Sequence, residues 1–274
     1  MLYYNIIYHM IQRDKYICSR WAQTNLHKGD HIVTKRAKRT KAFKTEEKSN
    51  KVIDFKAFKS RSKEIQLLPK NITQEDYIAM LVDQSIDIVL ATGPAGTGKT
   101  MLAVLTAIKA LKEGKCEKII ITRPAVSVDE QHGFLPGSLI EKMAPWVRPI
   151  VDVLEEYYSP KEINTMMEEG IIEVSPLAYM RGRNFKNAYI IFDEAQNATA
   201  SQMKMALTRI SENSKMLITG DLQQSDDMER NGFKDFINRF ENAHSSRIGL
   251  VRFTNSDVQR HPVVKEVLSI YKEQ

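Results

Sequence analysis

The chain has 274 residues, two cysteines and a formal net charge of +6, with 42% hydrophobic and 27% charged residues. This length is sufficient for a domain with its own core, and Cys18 and Cys116 are too far apart, without neighbouring Cys or His, to indicate a disulfide framework or a zinc site. No apolar run approaches the roughly 20 residues that span a bilayer. These features exclude the disulfide-rich secreted and membrane-spanning classes and favour a cytoplasmic protein.

The positive charge is confined to the amino-terminal part of the chain. Residues 1–70 contain 17 Lys and Arg against 6 Asp and Glu, whereas residues 71–274 contain 23 against 28. Between residues 35 and 63 the chain is rich in Lys, has few large apolar residues and shows no sustained period, so we expect residues 1–62 to be a basic, largely disordered extension. Such a tail can hold nucleic acid electrostatically, or it can be merely solvated.

Residues 63–274 have the pattern of one α/β domain. Helices are predicted at residues 73–82, 99–112, 138–157 and 160–169, the last two after a Gly/Pro-marked loop at 133–137. Strands are predicted at residues 86–92, 118–122, 171–174, 188–192, 216–219 and 249–253. Most of these strands are continuous apolar runs, which is typical of strands covered by helices on both faces. The alternation predicts a mostly parallel sheet with right-handed crossover connections.

A glycine-rich motif follows the first strand and opens the next helix. The run Gly93-Pro94-Ala95-Gly96-Thr97-Gly98-Lys99-Thr100 satisfies GxxxxGK(S/T). Glycines allow backbone N–H groups to turn toward phosphates, and the helix N-terminus adds positive potential. Lys99 is predicted to reach the β- and γ-phosphates and Thr100 to coordinate Mg²⁺, with Met101 completing the nucleotide-binding set.

A second motif ends the apolar strand at residues 188–192. Asp193 is the candidate Mg²⁺ ligand that P-loop NTPases place after such a strand. Because adjacent residues at a strand end point in different directions, Glu194 can face the attacking water and act as its general base. Asp193 and Glu194 are therefore predicted to be catalytic together with Lys99.

A polar loop follows the strand at residues 216–219. Ligands of open parallel sheets bind beyond the carboxyl ends of the strands, where Gln223 falls. We expect Gln223 to sense the γ-phosphate or to orient water.

Three arginines are candidates for stabilising charge in the transition state of phosphoryl transfer. NTPases often place an arginine there, in cis or from a neighbouring subunit. Arg181 and Arg183 flank Gly182 before the strand at 188–192, and Arg260 follows the last strand. A structural or solvent-exposed role is the alternative for each of them.

Together these residues resemble the PhoH family of phosphate-starvation-inducible ATPases, whose domain is similar to the nucleotide-binding core of superfamily-one helicases. The resemblance covers about residues 65–272 and rests on GPAGTGKT at 93–100, TRPAV at 122–126, GFLPG at 133–137, MRGR at 180–183, FDEAQN at 192–197, TGD at 219–221 and RHPVV at 260–264.

The resemblance implies a three-layer α/β/α P-loop NTPase domain of the RecA-like kind that uses ATP and Mg²⁺. It further implies that Gln74 contacts adenine, with Asn71 opening the Asn-x-x-Gln pattern. Some similar proteins form rings and some act on RNA, so a homo-oligomer, a hexameric ring included, and RNA or single-stranded nucleic acid are the expected partners.

Three hypotheses of function follow. The first is an ATPase in which water attacks the γ-phosphate, coupled to the metabolism of RNA or another nucleic acid. The second is a nucleotide-gated binding module with negligible hydrolysis, which the adjacent acids Asp193 and Glu194 disfavour. The third is a ring-forming subunit that remodels RNA.

Overall fold

The apolar runs of the sequence form the strands of one parallel sheet in the computed structural model of the chain. The structure describes residues 64–124, 139–225, 231–243 and 245–259, with the single positions 263, 266 and 270. Its strands are β1 (Ile88–Thr92), β2 (Lys118–Thr122), β3 (Ile172–Val174), β4 (Ala188–Phe192), β5 (Lys215–Gly220) and β6 (Ile248–Arg252). They lie in the order β3-β2-β4-β5-β1-β6, and all five pairings are parallel.

Helices connect the strands. They are α1 (Ile72–Val82), α2 (Lys99–Lys112), α3 (Leu139–Glu155), α4 (Pro160–Glu168), α5 (Ala200–Leu207) and α6 (Gly232–Glu241). Short 3₁₀ turns occur at Leu177–Met180, Ala195–Asn197 and Asn255–Asp257.

Helices cover both faces of the sheet. On one face, alternate strand residues such as Leu90 and Ile218 are buried in a core with Met203 of α5 and with Phe233 of α6. On the other face, α2 packs against β2, β4 and β5, and α1 packs against α2 and β6. This is a three-layer α/β/α architecture around an all-parallel sheet, which confirms the predicted fold class.

The sheet brings the predicted site residues to one edge. β1, which precedes the glycine-rich loop, lies inside the sheet between β5 and β6. β5 in turn separates β1 from β4, which ends just before Asp193. Because parallel strands share one carboxyl edge, the loops after β1, β4 and β5 open on the same side.

The predicted element bounds agree closely with the structure. The helix at 99–112 and the strands at 118–122 and 188–192 are confirmed without change, and the other predicted bounds differ by one or two residues. The helix predicted from residue 73 begins at Ile72, because the Asn71 side chain caps it by accepting from the Gln74 N–H at 2.8 Å. The predicted extension 1–62, the loop 133–137 and Arg260 lie outside the described residues.

Candidate nucleotide-binding site

The loop between β1 and α2 depends on glycine at three positions. Gly93, Gly96 and Gly98 have φ values of 139°, 85° and 83°, a region that residues with a Cβ seldom adopt. At Gly93 an added Cβ would lie 2.3 Å from the carbonyl oxygen of Phe253, which follows β6. The glycine at this position therefore allows both the turn and the close approach of a neighbouring strand end.

The Lys99 ammonium lies inside the loop that its own motif forms. Its Nζ donates to the carbonyl oxygens of Gly93 at 2.6 Å and Pro94 at 2.7 Å, and to the Thr97 hydroxyl at 3.2 Å. The residue is only 8% exposed. The positive charge is thus held in the space that the glycine-rich loop encloses.

Burial and neighbouring acids have opposite effects on this lysine. Burial lowers the pKa of Lys99 from its usual value, and the carboxylates of Asp221, Asp193 and Glu194 offset part of that effect. An anionic ligand would add to the influence of the acids, because an opposite charge nearby favours the ammonium form.

Two hydroxyls converge on the Asp193 carboxylate. The Thr100 hydroxyl donates to Asp193 Oδ1 at 2.8 Å, and the Thr219 hydroxyl donates to the same oxygen at 2.6 Å. Threonine and aspartate supply hard oxygen donors, and Mg²⁺ in nucleotide sites is held by one or two protein ligands together with waters and phosphates. Thr100 and Asp193 therefore fit this ion. No cluster of three or more His, Cys, Asp or Glu side chains suited to a metal occurs in the described part of the chain.

Glu194 is held in an unusual backbone conformation. Its φ of 54° and ψ of 40° are left-handed, which is uncommon for a residue other than glycine. The Gln196 Nε2 donates to Glu194 Oε2 at 2.5 Å, and the Arg123 guanidinium lies 3.8 Å from Glu194 Oε1. Both carboxylate oxygens thus have a donor or a cation nearby.

The loop after β5 enters the site through Asp221 and Gln224. The Asp221 N–H donates to Gln196 Oε1 at 3.1 Å, and the Gln223 N–H donates to Asp221 Oδ1 at 3.0 Å. Gln223 itself is exposed and is not among the residues that line the cleft, whereas Gln224 is. The structure therefore places the backbone of Gln223, but not its side chain, in the network around the site.

A side chain near the amino end of α1 forms a hydrogen bond with the glycine-rich loop. Gln74 is 1% exposed, and its carboxamide donates to the Thr97 carbonyl at 3.0 Å and accepts from the Lys70 N–H at 2.8 Å. Asn71 caps α1 and donates to the Asp257 carbonyl at 3.4 Å. Both side chains fix loops around the site, and the adenine contact of Gln74 stays a prediction.

An open cleft of about 260 Å³ lies over these groups. Most of the predicted nucleotide-binding positions line it. Its residues are Ala95, Gly96, Gly98, Lys99, Thr100, Met101, Asp193, Glu194, Gly220, Asp221 and Gln224. Met101 is 41% exposed there and offers an apolar surface beside the glycine-rich loop.

Of the arginines nominated from the sequence, the structure describes Arg181 and Arg183, and neither is in this cleft. Arg183 pairs with both carboxylate oxygens of Glu173 on the edge strand β3, and its guanidinium lies 4.7 Å from the centre of the Phe185 ring. Three strands separate β3 from β1, which places Glu173 roughly 19 Å from β1. Arg181 is exposed in the same segment. Neither arginine lines the cleft of its own chain.

Several residues lie at the site although the sequence did not predict a role for them. Arg123 and Asp221 directly follow apolar strands, and Thr219 is the last residue but one of β5. Their position at strand ends is a signal that sequence reasoning could have used, since ligands bind there. Gln196 gives no such signal, because only its hydrogen bonds to Glu194 and Asp221 show its place.

None of the helices in the described ranges is both long and apolar enough to cross a lipid bilayer.

Comparison with known proteins identifies relatives over most of the chain. The "PhoH-like protein" of Bacillus subtilis strain 168 is 45% identical over 210 residues, which are 75% of this chain and 64% of the relative. The "PhoH-like protein" of Synechocystis sp. is 42% identical over 205 residues, which are 74% and 61%. "Protein PhoH" of Escherichia coli K12 is 40% identical over 210 residues, which are 75% and 58%. The chain thus matches about six tenths of the length of these relatives.

Solved structures show a more distant similarity. The Sulfolobus solfataricus SWI2/SNF2 ATPase core in complex with dsDNA has a TM-score of 0.40 and 17% identity, over 70% of this chain and 46% of that chain.

The sequence model of the PhoH family, described as PhoH-like protein, matches residues 66–272. Because this match covers more than half of the residues, the chain belongs to the PhoH-like family.

Proposed function

We propose that the protein binds ATP with Mg²⁺ and hydrolyses it by attack of water on the γ-phosphate. The observation that carries this proposal is the contact between the Thr100 hydroxyl and the Asp193 carboxylate at 2.8 Å. It joins the two motifs that hold a nucleotide-bound metal ion, in a cleft that also contains Lys99 and Glu194. Family membership and the α/β/α fold support nucleotide binding independently.

Different residues have different roles in phosphoryl transfer. Backbone N–H groups of residues 93–100, at the N-terminus of α2, bind phosphate oxygens, and Lys99 exchanges its bonds to the loop carbonyls for bonds to phosphate. Thr100 and Asp193 would hold Mg²⁺, which neutralises charge on the β- and γ-phosphates when bound.

Glu194 is the group that accepts a proton. Water oxygen bonds to the γ-phosphorus while the bond from that phosphorus to the β,γ-bridging oxygen breaks. The proton of the water passes to the Glu194 carboxylate, and the products are ADP and inorganic phosphate.

Phosphate release from ATP by the purified chain, with Mg²⁺ and with a chelator, tests this proposal. Release that requires Mg²⁺ supports hydrolysis. Tight ATP binding without phosphate release would instead favour the second hypothesis, a nucleotide-gated binding module.

A nucleic-acid partner is supported by the distribution of charge. The described domain belongs to the acidic part of the chain, whereas residues 1–70 carry an excess of 11 positive charges. We therefore propose that the extension tethers RNA or single-stranded nucleic acid to the ATPase domain, since an acidic domain has little long-range attraction for phosphate backbones. ATPase rates with RNA, with single-stranded DNA and with neither show whether nucleic acid is coupled to turnover.

The position of Arg183 supports a model in which a second copy of the chain supplies an arginine to the cleft. Arg183 is bonded to Glu173 at the sheet edge, far from β1 of its own chain. We propose a homo-oligomer, such as a ring, in which Arg181, Arg183 or Arg260 reaches the cleft of the neighbour. Mixing an arginine variant with Lys99→Ala tests it, because only composite sites would contain both groups. No recovery of activity, with subunits shown to mix, would oppose this arrangement.

A further inference from the structure

Glu194 needs a partner that keeps it in its strained backbone conformation. A residue with a side chain is strained in the left-handed region, and this conformation persists only where its surroundings fix it. Glu194 has φ 54° and is followed directly by the 3₁₀ turn Ala195–Asn197. The position of its carboxylate is therefore set by the contacts that this turn makes.

Gln196 makes those contacts with both ends of its carboxamide. Its Nε2 donates to Glu194 Oε2 at 2.5 Å, and its Oε1 accepts from the Asp221 N–H at 3.1 Å. The residue is 1% exposed. These two partners fix the orientation of the amide, because a flipped group would set its oxygen against a carboxylate and its NH₂ against an N–H.

The loop after β5 is fitted around this glutamine. A Cβ added to Gly220 would lie 2.8 Å from Gln196 Oε1 and 2.9 Å from Cε1 of Phe233. The Ser225 hydroxyl donates to the Gln196 carbonyl at 3.2 Å. Residues 221–225 are thus bonded to Gln196 at two points, and Gln224 of the same loop lines the cleft.

We propose that Gln196 is the positioning residue of the Glu194 base, and that it links the base to the loop after β5. Gln196 does not line the cleft. It holds Glu194 Oε2, so that the other oxygen, beside Arg123, is the one left to accept the proton from water. This inference rests on the proposed ATP hydrolysis.

The test is a double-mutant cycle on turnover. Gln196→Met keeps the side-chain length and removes both hydrogen bonds, and we expect kcat to fall about 10- to 100-fold, the usual cost of misplacing a reacting group by about an ångström. ATP affinity should change by less than about threefold, because Gln196 is buried and does not line the cleft. In the Glu194→Gln background the same substitution should have no further effect, since Gln196 acts only through Glu194.

A second variant separates the two ends of the carboxamide. Gln196→Glu keeps an acceptor for the Asp221 N–H but replaces the donor to Glu194 with a carboxylate. We expect it to be at least as slow as Gln196→Met. A rate equal to that of the unaltered protein would overturn the proposal.

Gln202→Met is the matched control. Gln202 accepts from the Thr199 N–H at 2.9 Å in the cap of α5, outside the cleft. Its substitution removes a comparable bond and should leave kcat unchanged. If Gln196→Met lowered turnover equally in both Glu194 backgrounds, the role would be structural and the proposal wrong. If the unaltered protein released no phosphate, the proposed hydrolysis would fail first and this inference with it.

Discussion

Thr100 and Asp193 are 93 residues apart in the chain, yet the hydroxyl of one donates to the carboxylate of the other at 2.8 Å. Thr219 of β5 donates to the same carboxylate oxygen from the strand that lies between β1 and β4. The end of the site around Asp193 is therefore held by three neighbouring parallel strands, and its geometry depends on their order in the sheet.

Lys99→Ala should weaken ATP binding strongly. It removes the ammonium that the glycine-rich loop encloses, and charge-assisted hydrogen bonds are worth about 1.5–3 kcal/mol, or roughly 10- to 150-fold in Kd. Titration with a fluorescent nucleotide measures the effect. Lys109→Ala is the control on the same helix, because Lys109 pairs with Glu113 at the surface. Equal affinities for Lys99→Ala and the unaltered chain would contradict the assigned role.

Glu194→Gln should separate binding from hydrolysis. The amide keeps the shape of the carboxylate but cannot take a proton from water, so we expect turnover to fall about 10²–10⁴-fold, the usual contribution of a positioned base. Nucleotide affinity should remain close to that of the unaltered protein. Phosphate release in single-turnover experiments checks the rate, and normal turnover would exclude Glu194 as the base.

Gly93→Ala should destabilise the fold as well as the site. The new Cβ would lie 2.3 Å from the Phe253 carbonyl, which is backbone and has little room to move. Such overpacking costs about 1–3 kcal/mol, to which the unfavourable φ of 139° adds. Urea denaturation measures the free energy of unfolding.

Gly114→Ala is the matched control for this prediction. Gly114 also has a positive φ, of 69°, but no atom lies within 4 Å of an added Cβ. Only the conformational cost of about 1–2 kcal/mol remains there. A loss of stability as large for Gly114→Ala as for Gly93→Ala would show that the contact with Phe253 is unimportant.

Lys215 should make stability depend on alkaline pH. This residue of β5 is 5% exposed and donates to the carbonyls of Met80 and Asp83 at 2.9 Å and 2.6 Å, and burial lowers its pKa from 10.5 to about 8. Because the unfolded chain binds this proton more tightly, the contribution of Lys215 to stability rises between about pH 8 and pH 10.5 and is lost as the pH falls.

The measurement compares unfolding free energies of the unaltered chain and Lys215→Met on both sides of pH 8. Subtracting the unfolding free energy of the variant from that of the unaltered chain removes the effect of other groups that titrate in this range. As the pH rises, the unaltered chain should become more stable relative to Lys215→Met. A constant or opposite difference would contradict the assigned pKa shift.

The basic extension should bind nucleic acid without affecting basal turnover. Removal of residues 1–62 should weaken binding to RNA or DNA and flatten its dependence on salt, because each phosphate that a cation neutralises adds to the salt slope. Fluorescence anisotropy with a labelled oligonucleotide at several salt concentrations measures both. A truncated chain with the same affinity and slope would show that the extension is only solvated.

The strands, the glycine-rich loop and the acids after β4 could be predicted from the sequence alone. Continuous apolar runs gave β2 and β4 without error, because a strand buried on both faces leaves a local signature. The glycine spacing at residues 93–100 likewise has a local cause, the positive φ values that the loop requires. The acids after β4 were recognisable because they follow such a strand.

Which side chains meet, in the site and around it, depends on contacts between segments that are far apart in the chain. The contact of Arg123 with Glu194, the bonds of Gln196 to Glu194 and Asp221, and the pairing of Arg183 with Glu173 join different loops and strands. Strand order governs these contacts, and no local period encodes it. The same reason explains why the sequence predicts Gln223 at the site whereas the structure places Gln224 in the cleft. A loop after a strand can turn either side chain inward.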